Sequence, residues 1–554
     1  MKQKEKLAAL IADALDSASQ AGLISLADKP AVSIEVPRDT NHGDFASNIA
    51  MVLAKPLKMA PRQIAQHIVE YLTEDSMIEK VEIAGPGFLN FYLRLDWLHR
   101  VLAAIEEQGV TYGNSTSGQG ERVLLEFVSA NPVGPMNVVN ARAAAIGDSL
   151  TRIMEAAGFV VASEYYVNDA GNQTQIFARS LEARLLQIED PSATFPDDGY
   201  PGDYVTDLAV RLHSEHPEVV AMASAERQEF CRSWGIDQMV AAQKEDLRSF
   251  NVEFDVWFRE HRLHQTGALG EVMSILDNKG LLYESEGALW FRSQAFGDDK
   301  DRVIRKSDGA YTYVTADIAY HYDKLKRGFT KLIDLLGPDH HGYIGRMRAA
   351  VQALGYPADT LEVLILQYVS LLRDGQQVKM SKRAGEFITL QDVVDEVGRD
   401  AARFFFLMRS MESHLDFDLT LASEQSSENP VFYVQYAHAR ICSILKQAED
   451  VGARVLPVKD VDLSLLQHTS EAAVLRKLAE LPEEIAAAAE YREPHRVARY
   501  ALDLAGLFHA FYTHCHVLGE AEDLKHARLA LVNSVGLVLR RVLTLLGVSA
   551  PESM

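Results

Sequence analysis

The sharpest chemical string in this 554-residue sequence is Lys379-Met380-Ser381-Lys382-Arg383, followed by Ala384-Gly385. Three cations in five residues, on a glycine-ended loop directly after a hairpin, can close over polyphosphate and place mobile ammonium groups where charge builds during phosphoryl chemistry. The plainer alternative is a solvated basic turn. A second cluster, Gly337-Pro338-Asp339-His340-His341-Gly342, falls where a strand runs into a helix, so free backbone N–H groups there can meet a nucleotide. Its paired histidines also fit a metal, but no second ligand cluster accompanies them and no metal is assigned. Tyr166, Asn168 and Gln173 follow a strand, where they could close over a substrate or simply form Asx turns. Tyr433, Tyr436, His438 and Arg440 share one amphipathic helix, a mixture of rings and cations suited to stacking unpaired bases or to core packing.

Positioning these groups requires a scaffold, and the sequence outlines one. RVLLEFVSA is a β-type run, NPVGP a turn, NVVNARAAAIGDSLTRIMEAAG a helix closing on Gly158, and FVVASEYYVND a strand. That order marks a doubly wound α/β unit, which binds ligands where strand C-termini meet helix N-termini. The polar, mostly helical stretch at about 170–285 reads as an insertion; strands return at GALWFR and KLIDLLG, the latter leading into a helix near His341. LEVLILQYVSLLRDGQQV gives two apolar runs around Arg373-Asp374-Gly375, a hairpin turn signal that delivers the basic loop. From about Leu390 onward the pattern is helical and predicts a bundle. Residues 1–110 form a first unit ending in VEIAGPGFLNFYLRL, two strands around a Gly-Pro-Gly turn, before the linker YGNSTSGQGER. The expected units are therefore 1–110, 120–390 with its insertion, 391–425 and 426–554.

Composition narrows the classes. The length predicts about three or four domains, and 47% hydrophobic with 24% charged residues is ordinary globular usage. The N-terminus lacks the apolar block of a signal peptide, and no stretch approaches the roughly 18 apolar residues of a membrane span. Three scattered cysteines without a CxxC pair fit a reducing cytoplasm. A net charge of −23 argues against bulk attraction to nucleic acid but permits a local basic surface, and the helical tail is the less acidic part.

KMSKR after a hairpin, between an α/β core and a helical tail, resembles the KMSKS loop of class I aminoacyl-tRNA synthetases. Within that class EFVSANPVGP, YYVNDAGNQ, YVTADIAYHYDK, GPDHHGY and NPVFYVQYAHARI are similar to arginyl-tRNA synthetases of the bacterial type. VPRDTNHGDFASNIAMVLAK and VEIAGPGFLNFYL resemble that family's N-terminal tRNA-binding domain, so the likeness covers nearly the whole chain. It implies a Rossmann-like parallel-sheet catalytic domain, an N-terminal α+β domain and a C-terminal all-α anticodon-binding bundle of the DALR type, with 391–425 contacting the tRNA stem. It also implies L-arginine, tRNA(Arg) and ATP with Mg2+ as substrates, no permanently bound cofactor, and a cytoplasmic monomer.

Carried over residue by residue, the resemblance implies that Lys379, Lys382, Asn137 and Asn140 are catalytic. ATP would be held by these together with Pro132, Gly134, Val139, Gly337, Asp339, His340, His341, Met380 and Ser381. Arginine would meet Glu126, Ser129, Asn131, Tyr313, Asp317 and His340, and tRNA would meet Tyr433, Tyr436 and Arg440. The carboxylates suit the substrate, because a guanidinium is a planar cation with five donors that pairs with acids in bidentate geometry. One departure stands out. Where the family usually carries H-V-G-H, this chain has Asn137-Val138-Val139-Asn140. Asparagine can donate through its amide but cannot become cationic. Val139 in place of glycine is expected to restrict the backbone and fill space near adenosine. A paralogue that binds tRNA without forming an adenylate would account for this string, and a class I synthetase for another amino acid would keep the basic loop.

Overall fold

Apolar runs that are buried on both faces should pair in parallel, and the chain does this at its centre. The computed structural model describes residues 3–25, 30–35, 37, 42–378 and 388–554. Five strands form one parallel sheet: β1 (Arg122–Glu126), β2 (Val160–Val167), β3 (Val256–Arg259), β4 (Lys331–Leu336) and β5 (Leu361–Ile365), in the order β5-β4-β1-β2-β3. Crossovers between them include α1 (Val138–Ala156), α2 (Ser224–Ser249), α3 (Tyr313–Lys326) and α4 (His341–Leu354). Helix α1 lies very close to the sheet. A Cβ on Gly147 would come within 2.2 Å of the Phe127 ring, so only glycine allows that approach.

Two expectations need correction here. The core sheet resumes at β3, inside the stretch read as an insertion; its four-residue sequence VWFR is too short to stand out between polar helices. GALWFR is not a core strand. It lies in a separate antiparallel sheet of Leu282–Ser285, Ala288–Phe291 and Arg302–Arg305, because hairpin turns rather than crossovers link it to its neighbours.

The expected hairpin pairs Val369–Arg373 with Gln376–Gln377, and its turn residues Asp374 and Gly375 have φ of 52° and 72°. Positive φ at both positions matches the right-handed twist of the strands. The basic string 379–387 begins two residues later and lies outside the described residues, so Lys379, Met380, Ser381 and Lys382 have no structural placement. Its flanks do. Val378 N–H donates to Leu371 at 2.9 Å on one side, and on the other Thr389 bridges to Asn137 while Leu390 N–H donates to Met136 at 2.9 Å.

Beyond the hairpin come α5 (Arg399–Leu407), α6 (Pro430–Asp450), α7 (Thr469–Glu490), α8 (His495–His514) and α9 (Glu522–Leu545). Fully buried Arg403 on α5 joins this bundle to the sheet: its guanidinium donates to Asp148 of α1 and to the carbonyls of Phe250 and Leu546. Breaking a buried pair of this kind typically costs about 3–5 kcal/mol. At the N-terminus the strands Phe45–Ser47, Ile78–Ala84 and Phe88–Leu93 make an antiparallel sheet. Asp44 and Lys4 of this unit pair with Arg476 and Glu483 of α7. Among the described residues no helix is long and apolar enough to cross a membrane.

Candidate active site

At the C-terminal ends of β1, β2 and β4 the sheet opens into a cavity of about 700 Å³, bounded by the N-termini of α1 and α4 and one turn of α3. Glu126 and Asp317 both line it, as do Ser129, Asn131, Gly134, Asn137, Val139, Asn140, Gly337, Asp339 and His340. Tyr166, Asn168 and Gln173 reach the same space, but only Asn168 lies on the loop after β2: Tyr166 is still in the strand and Gln173 is in the first turn of the next helix, Asn172–Glu189. Of the residues carried over from the family, Pro132, Tyr313 and His341 are not on the wall among the described residues. Pro132 is buried behind it and His341 is exposed at the start of α4. Tyr313, the first residue of α3, is 67% exposed, because the helix start carries its ring out to solvent although Asp317 sits one turn further in.

The acidic side is built from the sheet. Glu126 ends β1, where Oε1 accepts from the Ser129 hydroxyl at 2.9 Å and Oε2 accepts from Lys324 Nζ at 2.6 Å. The Ser129 hydroxyl oxygen also accepts from Tyr166 N–H at 3.1 Å, so Ser129 braces Glu126 against the next strand. This brace needs an unusual backbone: Val128 and Ser129 have φ of 69° and 42°, a region that branched side chains rarely adopt. Asp317 faces Glu126 from α3. Burial pushes its carboxyl up to about 7; His321 and Arg346 oppose that rise, while Glu260 and Glu126 add to it. A group so perturbed in a cleft is a functional candidate on electrostatic grounds.

The opposite side is built from turns. Asn137 caps α1, its side-chain oxygen accepting from Val139 N–H at 2.9 Å and Asn140 N–H at 3.1 Å, while Asn140 Oδ1 accepts from Asn137 N–H at 3.0 Å. This reciprocal box uses both carbonyl ends. Both NH2 ends keep their hydrogens for other acceptors, at a helix N-terminus that already favours anions. Val139 adopts ordinary helical geometry, so the expected backbone restriction is absent; its side chain contributes only wall. The Asn131 amide donates to Gln173 at 2.7 Å, and Asn168 Oδ1 is buried with no partner among the described residues.

Some contributors went unread in the sequence. Buried Gln243 of α2 donates to the carbonyls of Asn131 and Gly134, both at 3.2 Å, and the Tyr204 hydroxyl donates to Val133 O at 2.7 Å. Tyr200 and Tyr204 join the wall from the polar helical stretch, where nothing local marks them. Lys324 did leave a signal: Glu126, Glu164 and Asp334 each interrupt an apolar strand, and a buried acid requires a cation.

In the bundle, Tyr433, Tyr436 and Arg440 share one face of α6. The Arg440 guanidinium sits 4.6 Å from the Tyr436 ring centre and 5.1 Å from that of Tyr512, and Tyr436 stacks on His509. His438 belongs to the other face; it is buried, and its Nδ1 lies 2.8 Å from Pro551 O, because it stands five residues from Tyr433 and so turns inward.

A parallel sheet whose strand ends open onto a cavity, a capped helix N-terminus at the same opening, and Thr389, just after the basic string, bridged to that cap at Asn137 are the architecture of a class I aminoacyl-tRNA synthetase. The family model described as the tRNA synthetases class I (R) catalytic domain matches residues 101–412. The arginyl tRNA synthetase N terminal domain matches 5–93 and the DALR anticodon binding domain matches 434–554. An arginine–tRNA ligase of Symbiobacterium thermophilum is 50% identical over 552 residues, covering 100% of this chain and 99% of the relative. One of Bacillus subtilis is 48% identical over 538 residues, covering 97% and 96%. The solved arginyl-tRNA synthetase of Thermus thermophilus shares the fold, with a TM-score of 0.79, 24% identity and complete coverage of both chains. The chain belongs to the arginyl-tRNA synthetase family.

Proposed function

We propose that the cavity activates L-arginine with Mg-ATP and passes the arginyl group to the 2′-hydroxyl of the terminal adenosine of tRNA(Arg). The observation that carries this reading is the placement of two carboxylates, Glu126 and Asp317, in one cavity with the capped N-terminus of α1. The guanidinium lies between the two acids, with the α-amino end near Asn131 and the unpartnered Asn168 oxygen. An oxygen of the arginine carboxylate attacks the α-phosphorus, and the bond to the bridging oxygen breaks to release pyrophosphate. The ribose hydroxyl then attacks the mixed anhydride, releasing AMP. No side chain forms a covalent bond, so catalysis comes from alignment and charge stabilisation.

The amide donors of Asn137 and Asn140, the turn Gly337–His340 and the loop bearing Lys379 and Lys382 take the phosphates. Tyr436 and Arg440 take anticodon bases, with Tyr433 beneath them; residues 391–425 contact the tRNA stem, and the N-terminal unit binds tRNA. The enzyme works as a cytoplasmic monomer. The test is amino-acid-dependent pyrophosphate exchange with each of the twenty amino acids, with and without tRNA. Exchange with arginine alone, dependent on tRNA, is expected. Absence of exchange in well-folded protein, or exchange with another amino acid, overturns the proposal.

A further inference from the structure

Three acids lie side by side across the sheet. Asp334 of β4, Glu126 of β1 and Glu164 of β2 are register partners, so their side chains leave the same face. Helix α3 covers that face, and each acid meets a cation from α3 or its C-cap. Arg327 donates to Glu164 through two bonds of 2.6 and 3.0 Å, and the Tyr320 hydroxyl donates to it at 2.7 Å. His321 Nε2 lies 2.8 Å from Asp334. Lys324, fully buried, donates to Asp334 at 2.8 Å and to Glu126 at 2.6 Å. Among the described residues it is the only cation within ion-pair distance of Glu126.

The spacing Asp317, Tyr320, His321, Lys324 puts all four on one stripe of α3. The same helix thus presents one acid to the cavity and the counter-charge for the other acid from behind. Each oxygen of Glu126 has one protein partner, Ser129 or Lys324, and each retains a lone-pair site for a donor in the cavity.

We propose that Lys324 is a positioning residue for arginine recognition: its ion pairs hold Glu126 in place and separate it from Asp334, so that Glu126 meets the guanidinium as an oriented acceptor. Lys324 does not touch the substrate. Burial works against its ammonium, but Asp334, Glu126 and Glu164 hold it above the usual lysine range. Burial also works against an ionised Asp334, and Lys324 and His321 hold that carboxyl below its usual range. Without Lys324, Asp334 and Glu126 are neighbouring buried acids that relieve their repulsion by sharing a proton.

The groups facing this pair are Asp317, Tyr320 and His321 from α3, Glu164 and Tyr166 from β2, and Tyr343 from α4; Glu260 and Arg346 act on Asp317. Asp317, which burial pushes up to about 7, titrates in the wild type too. The informative quantity is therefore the ratio of variant to wild-type KM for arginine at each pH.

The inference rests on the arginine-pocket reading, and its test separates the two. Arginine KM and kcat are measured by tRNA-dependent exchange for wild type, Lys324→Met, Lys324→Met/Asp334→Asn, and Glu126→Gln. The Lys324→Met ratio should be about 30-fold at pH 7 and shrink to about threefold near pH 9, as the shared proton leaves, with kcat changing less than KM. The double variant, which removes one charge of each sign, should stay within about fivefold at both pH values. An unchanged ratio for Lys324→Met, or a raised ratio that neither pH nor Asp334→Asn corrects, overturns the inference. If Lys324→Met alone does not fold, the double variant decides: a pH-independent ratio of about two- to fivefold with kcat unchanged, from loss of the bond to Glu126, supports it, and an unchanged ratio or one as large as that of Glu126→Gln refutes it. An unchanged arginine KM in Glu126→Gln instead defeats the pocket reading itself.

Discussion

The two walls of the cavity are built by different physics. On the acidic wall Glu126 is cross-braced by Ser129 and Lys324, and the acids behind it, Asp334 and Glu164, by His321 and Arg327. On the opposite wall lie a helix N-terminus and two short amides whose carbonyl ends are spent on capping that helix. A cation of fixed shape rewards a rigid receptor, because little reorganisation is needed when it binds. Phosphates change geometry and charge along a reaction, and in the proposed mechanism they are served by a helix dipole and by Lys379 and Lys382. Selection of the amino acid is thus proposed for the acidic wall, and turnover for the turns and the lysine-bearing string.

That division can be broken most visibly at the loop. Lys382→Ala should lower kcat by about 100-fold, as expected for a group that stabilises transition-state charge, with arginine KM nearly unchanged; a selective KM effect would erase the contrast. On the acidic wall the pattern should invert. Asp317→Ala should raise arginine KM by at least about 30-fold, consistent with roughly 2–5 kcal/mol for truncating a buried charge pair, and an unaltered KM would remove Asp317 from the pocket.

The same carboxyl sharpens the comparison through pH. With its titration raised to about 7, Asp317 binds a proton below neutrality and cannot then pair with a guanidinium. Arginine KM should therefore fall about tenfold between pH 6 and 8 and level off above, since only the ionised form binds. Asp317→Asn should flatten the profile; a wild-type KM independent of pH would place the titration elsewhere.

Asn137→Asp is the finest probe of the turn-built wall. Aspartate caps a helix as well as asparagine does, so thermal stability should move by less than about 1 kcal/mol. It supplies no NH2 donor and adds a negative charge toward phosphate, and kcat/KM for ATP should drop about tenfold. A matched loss of stability and activity would mean that the residue serves only as a cap.

Much of this was legible in the sequence because local rules act locally. Strand β1, the turn, α1 and β2 announce themselves by periodicity, and Asp374-Gly375 marks its hairpin by the positive φ such turns demand. The strings around Glu126, Asn137 and Asp317 were readable, and the structure gathers them in one cavity. What could not be read depends on long-range packing. Strand β3 has four residues and takes its identity from the register with β2. Tyr204 and Gln243 act on a loop more than 70 residues away, and no pattern around them records it. Tyr313 and His438 show another limit: helical spacing put them on the right element but does not say how each ring is covered, and one stands in solvent and the other in the core.

The central claim is that one guanidinium is shared by a sheet carboxylate and a helix carboxylate. A crystal structure with L-arginine bound tests it most directly. The guanidinium nitrogens should lie within about 3 Å of oxygens of both Glu126 and Asp317, with the Lys324–Glu126 pair intact. Arginine bound with either acid turned away from it would contradict the account.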